Sequence, residues 1–136
     1  MTKEEFMKHL PNGTYGLLST VRPDGMPEAR GWEFQFAENN RFYFATANNK
    51  DVYQQLKEHP QAAFTYMEPT GKFTVRVTGK VAFVAEPQEK ARLWEKIDKL
   101  VQGMYKSWDN PIFEIMYLDD CALKFAQGFA PTKTVE

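Results

Sequence analysis

Hydrophobic and polar positions along this chain alternate with a period of two in six stretches and take helical spacing in three. The first helix is predicted over Thr2 to Leu10. Thr2 followed by Glu5 has the form of a capping box, and Pro11 with Gly13 stops the helix. Tyr15 to Val21 then reads as a strand, Arg22-Pro23-Asp24-Gly25 as a tight turn, and Pro27 to Phe36 as the returning strand. Glu38-Asn39-Asn40 turns the chain into a third strand, Arg41 to Thr46. Connections this short predict an antiparallel meander, because parallel crossovers need a dozen or more residues. A helix over Lys50 to His59 groups Val52, Tyr53 and Leu56 on one face and ends at Pro60.

Ala62 to Met67 is the fourth strand, and Pro69-Thr70-Gly71 turns it into a long fifth, Phe73 to Val84. Gly79 interrupts the apolar face of that strand, as expected where a curved strand bends. Pro87 to Val101 is predicted as one helix, with Ala91, Trp94, Ile97 and Val101 at helical spacing, and Phe113 to Phe125 as the sixth strand. The expected fold is therefore mainly β: a single domain over residues 1–136, built as a six-stranded antiparallel barrel with peripheral α-helices.

Composition adds a constraint. The chain holds 11 Phe, 6 Tyr and 3 Trp in 136 residues, more rings than a minimal core needs. The surplus points to a flat ligand or a subunit interface. A net charge of −1, from 17 basic and 18 acidic residues, supplies no basic excess for a nucleic-acid backbone. No apolar run is long enough to span a membrane, and Met1 to Leu10 lacks the apolar centre of a signal peptide. Cys121 is the only cysteine, so no disulfide forms within one chain. These features lead us to expect a soluble, cytoplasmic protein.

Two clusters carry candidate chemistry. Along the second strand Arg30 shares a face with Trp32, Phe34 and Phe36, while Gly31, Glu33 and Gln35 face the other way. A guanidinium there calls for an anion, either a protein carboxylate or a ligand, unless it sits at the barrel mouth. After the third strand, Thr46-Ala47-Asn48-Asn49-Lys50 leads directly into a helix. Exposed amides, a helix N-terminus and a lysine favour an anion, although an ordinary Asn-rich helix entry has the same appearance. A meander places the two clusters side by side, where they would form a mononucleotide site. His9 and His59 lie at helix ends without metal-ligand spacing, and Cys121 reads as barrel packing. Arg76 suits a surface or dimer ion pair better than a cofactor contact, and Tyr105 and Trp108 suit core packing.

The order of these segments resembles the pyridoxamine 5'-phosphate oxidase-like, FMN-binding split-barrel family. The likeness runs from Gly16-Leu17-Leu18-Ser19-Thr20-Val21 through Asp24-Gly25, Pro27 and Arg30 to Phe42-Tyr43-Phe44-Ala45-Thr46. It continues in Lys50-Asp51-Val52-Tyr53-Gln54-Gln55-Leu56 and Val75-Arg76-Val77-Thr78-Gly79-Lys80. Asp109-Asn110-Pro111-Ile112-Phe113-Glu114 is similar to small bacterial members. The resemblance implies a homodimer with FMN in a cleft between subunits. By position, Arg30 would contact the phosphate and Thr46 the phosphate or ribityl chain, with Asn48, Asn49 and Lys50 beside them. The backbone near Gly31 and Trp32 would approach the ring system, and Thr74 would meet the cofactor through its side chain. The oxidase's Arg-Lys pair is replaced here by Asp51 and Val52, with Lys50 just upstream, and its C-terminal Arg and His have no counterpart. The implied function is electron or hydride transfer to a small planar substrate rather than pyridoxamine phosphate oxidation. The alternatives are a non-catalytic flavin-binding protein for storage, sensing or stress, and haem or a deazaflavin on the same scaffold.

Overall fold

In the computed structural model, which describes residues 1–136, the alternating stretches form one sheet that curls on itself. The first helix, α1 (Lys3–Met7), starts at the expected capping box: Thr2 Oγ1 accepts from Glu5 N, and the Glu5 carboxylate accepts from Thr2 N. β1 (Tyr15–Val21) and β2 (Pro27–Glu33) make the predicted hairpin, with Leu18 opposite Arg30, and Gly25 supplies the positive φ of its turn. β3 (Phe36–Glu38), β4 (Arg41–Ala47), α2 (Asp51–Glu58), β5 (Gln61–Met67) and β6 (Phe73–Phe83) follow. The chain then forms α3 (Pro87–Trp94), α4 (Lys99–Tyr105), β7 (Phe113–Gln127) and the two-residue β8 (Lys133–Thr134). The strand order is β2-β1-β5-β6-β7-β4-β3, all pairs antiparallel, with β8 on β7.

The two ends of that order, β2 and β3, are consecutive in the chain, and this closes the barrel. Phe34 bonds backward: its N–H donates to Thr14 O and its carbonyl accepts from Gly13 N, each at 2.8 Å. Gln35 bonds forward, donating to Tyr43 O at 3.0 Å. Within one residue the chain leaves the β1 side of the sheet and joins the β4 side. The expected continuous strand Pro27 to Phe36 is therefore two strands, and the expected meander is absent, because β2 pairs with β1 and β4 pairs with β3 and β7. The division of β2 from β3, with β8 added, gives eight strands rather than six.

The switch also separates two cores. Glu33, Phe34, Gln35 and Phe36 are all buried, so alternation stops there and Phe36 leaves the face of Arg30 and Trp32. Phe34 enters the barrel interior with Phe42, Phe44, Phe64 and Val77. Phe36 stacks on Tyr43 at 4.8 Å in a second core under α3 and α4. β4 supplies both cores, Phe42 and Phe44 inward, Tyr43 and Ala47 outward, which is why its run is apolar without alternation.

The predicted helix over Pro87 to Val101 is interrupted. Its apolar spacing is genuine, since Trp94 and Ile97 are buried, but Asp98 turns the chain. Asp98 caps α4 by accepting from Leu100 N, while its own N–H donates to Gln35 Oε1 at 2.9 Å. Gly79 lies where the β6–β7 register shifts, and a Cβ there would stand 2.5 Å from Asp119 O. Cys121 is packed as expected; burial pushes its thiol up to about 11. His9, at its helix end, is half-buried and packs against Phe73 and Phe125 at 4.6 and 4.8 Å. Tyr105 and Trp108 join the second core. No helix is long and apolar enough to cross a membrane.

Candidate functional site

The split between β2 and β4 opens a cleft. With no ladder between these strands, their link is a single side-chain bond, Trp32 Nε1 donating to Ala45 O at 3.0 Å. The resulting hollow, about 190 Å³, is lined by Gly31, Trp32, Glu33 and Gln35 on one side and by Ala45 and Lys50 on the other. Val101, Met104 and Tyr105 of α4 and Tyr15 of β1 complete it. A larger hollow of about 720 Å³ lies at the far end of β4, between Lys3, Arg41, Asp119 and Glu136. None of the predicted site residues line it; of its charged groups, Arg41 pairs with Asp119 and Lys3 donates to Asn40.

Arg30 projects from β2 onto α2. Its guanidinium donates to Glu28 Oε1 at 2.5 Å, to Thr20 Oγ1 at 2.9 Å and to Gln55 Oε1 at 3.3 Å. Gln55 in turn donates to Glu28, and Thr20 donates to Gln55. The protein carboxylate that the sequence allowed for is thus present, and it is on Arg30's own strand. Hydrogen bonds from Gln55 and Arg30 hold the Glu28 carboxyl below its ordinary pKa. This network orients the guanidinium while leaving 23% of the side chain exposed.

Lys50, at the N-cap of α2, reaches back so that its Nζ lies 5.2 Å from the Trp32 ring centroid. No side chain caps the α2 N-terminus. Arg30, Trp32 and Lys50 are therefore brought together, through α2 rather than through strand pairing. Asn48 is engaged elsewhere, its amide donating to Pro111 O and Glu114 Oε2 and so tying the α2 entry to β7. Asn49 is exposed beside Lys50. Gly31 is exposed, and a Cβ there would touch nothing within 4 Å. Thr74 is on β6, opposite Met67 and Ala126, and within one chain it stands apart from Arg30.

Thr46 is 1% exposed, and its Oγ1 has no hydrogen-bond partner. The other buried side-chain oxygen without a partner is Oε2 of Glu33, a residue that lines the cleft. Such orphans are few in native proteins and invite a reason. Sequence reasoning passed over Glu33 because alternation placed it on the outer face of β2, with nothing to bury it. What covers it is α4: Asp98 at the helix start and Tyr15 from β1 both act on its carboxyl. Burial first, then the Asp98 carboxylate, push Glu33 up to about 7, while Glu33 beside it and the Leu100 N–H lower Asp98.

The sign of the stability effect follows. Between its ordinary pKa of 4.5 and about 7, Glu33 holds a proton in the folded state that it loses on unfolding. Folding stability then falls as pH rises through that window. Raising the pH from about 5 to about 8 should lower the melting temperature of the wild type relative to Glu33→Gln, which lacks the ionisation. Parallel curves for the two proteins would show that Glu33 ionises normally.

The sequence model of the pyridoxamine 5'-phosphate oxidase family matches residues 2–119. A pyridoxine/pyridoxamine 5'-phosphate oxidase of Trichormus variabilis is 33% identical over 79 residues, 58% of this chain and 37% of that protein. The chain spans between 35% and 58% of the length of the curated relatives it matches. Among solved structures, a NimC/NimA family protein of Clostridium acetobutylicum superposes with a TM-score of 0.80 at 20% identity, covering 97% of this chain and 90% of that one. A pyridoxamine 5'-phosphate oxidase-related, FMN-binding protein of Nostoc punctiforme gives 0.71 at 14% identity, covering 97% and 92%. These likenesses show the same split-barrel fold. With the model matched over most of its length, the chain belongs to the pyridoxamine 5'-phosphate oxidase family.

Proposed function

We propose that this chain binds FMN in the β2–β4 cleft, completed by a second copy of itself, and transfers electrons or hydride to a small planar substrate. One observation carries the reading: Arg30 and Trp32, on one face of β2, both meet α2, Arg30 at Gln55 and Trp32 under Lys50. Two cations and an uncapped helix N-terminus beside an indole suit a ligand with a phosphate at one end and a flat ring at the other.

The residues present fit that group. Arg30 and Lys50 would hold the phosphate, with Asn49 at the helix entry, and the unpartnered Thr46 hydroxyl would take a hydrogen bond from or to the ribityl chain. Gly31 leaves the strand bare, so a ring can lie against its backbone. Bound FMN would supply the redox chemistry. The protein's part is to orient the ring and keep water from it. Thr74 would join the site from a second copy, and the exposed Tyr15, Leu17 and Met67 offer apolar surface for such a dimer. A single cysteine, with no partner for a disulfide within the chain, suits work in a reducing cytoplasm.

The test is an absorbance spectrum and a size measurement on protein incubated with FMN and freed of excess. Retained flavin bands on a dimer are expected. Colourless protein, or a monomer at micromolar concentration, would sink the proposal. Reduction of the retained flavin by NADH or NADPH, followed by transfer to a nitroaromatic acceptor, separates turnover from storage or sensing.

A further inference from the structure

Arg30 is already engaged by three protein acceptors, and the way they share its nitrogens limits what a ligand can take. Nη1 donates to Thr20 Oγ1 at 2.9 Å, whereas Nη2 serves both Glu28 Oε1 at 2.5 Å and Gln55 Oε1 at 3.3 Å. A guanidinium grips a phosphate best with two parallel N–H bonds along one edge. The two edges are Nη1 with Nη2 and Nε with Nη2, so Nη2 belongs to both. A phosphate gains a full two-bond edge only when a protein acceptor releases Nη2.

The two acceptors differ in what release costs. Gln55 is 8% exposed and also accepts from Thr20 Oγ1 at 2.7 Å, Thr20 itself being 2% exposed. Moving Gln55 would strand buried polar groups. The Glu28 side chain is 42% exposed, and its only side-chain partners are Arg30 and the Gln55 amide N–H. Water solvates its charge once it turns outward, and exposed ion pairs of this kind are weak. We propose that Glu28 is a displaceable counter-ion: a ligand phosphate takes its place on Arg30 Nη2, while Thr20 and Gln55 keep the guanidinium oriented. A phosphate dianion brings more charge to the fork than the carboxylate it replaces, so the exchange runs in its favour. The inference rests on the flavin reading and adds to it the residue that sets the phosphate affinity.

FMN and riboflavin, which differ only in the phosphate, are the probes. Each is titrated by flavin fluorescence against the full wild-type chain and Glu28→Gln at one ionic strength, since the effect is electrostatic. The substitution keeps the outline of the side chain and removes its charge. FMN affinity is expected to rise about fivefold in Glu28→Gln, while riboflavin affinity changes by less than about twofold. Unchanged or weaker FMN binding in the variant would overturn the proposal and make Glu28 an orienting partner of Arg30. An equal gain for both flavins would overturn it too, because the effect would not lie at the phosphate. A wild type that takes up neither flavin would overturn the flavin reading and this inference together, whereas FMN uptake without a gain in Glu28→Gln overturns this inference alone.

Discussion

Phe34→Ala is expected to lower the unfolding free energy by about 3–5 kcal/mol and the melting temperature by roughly 10–15 °C. Phe34 is fully buried, and its ring meets Phe42 and Phe44 at 5.9 Å and Phe64 at 6.3 Å. Rings from two strands, β4 and β5, converge on it, so the space left by truncation cannot collapse without moving a ladder. Its backbone is also where the barrel closes, through the bonds to Gly13 and Thr14. Thermal unfolding followed by near-ultraviolet circular dichroism checks the expectation, and a loss below about 1 kcal/mol would refute it.

Arg30→Ala should weaken FMN binding about 100-fold, for loss of charge-assisted hydrogen bonds to a phosphate. Its effect on folding should be small. Glu28 is partly solvated, and the Thr20–Gln55 hydrogen bond survives the change. Arg30→Lys should recover only part of the affinity, because an ammonium cannot contact Gln55, Thr20 and a phosphate in the fixed fork that a guanidinium offers. Titration of flavin fluorescence against each variant measures the difference. Wild-type affinity in Arg30→Ala would mean that the guanidinium serves the protein network alone.

Local order was legible where one face of an element decides its pattern. The strand Tyr15 to Val21, the long strand from Phe73 and the capping box at Thr2 all read directly from spacing. Misreadings arose where a residue is held from both sides. Glu33, Phe34, Gln35 and Phe36 are all buried because two cores meet there, and no periodicity describes a strand that changes partner between adjacent residues. Ile97 kept helical spacing across a real turn because the second core needs it buried on either path. Arg30, Trp32 and Lys50 were visible as chemistry, but what joins them is α2, through Gln55, a polar residue that the sequence offered no reason to single out. Glu33 was hidden for the same reason: its cover comes from α4, whose position depends on long-range packing.

The crossing at Phe34 and Gln35 has a consequence for how such a barrel can vary. Side chains on either flank can be exchanged if volume is kept, because each serves one core. An inserted or deleted residue there is different. It would reverse every side chain of β3 relative to β4, turning Phe36 away from Tyr43, or else drag Trp32 out of reach of Ala45. The stretch between Trp32 and Phe36 therefore tolerates volume-conserving substitution but not indels, a constraint on length that falls on the wall of the cleft itself.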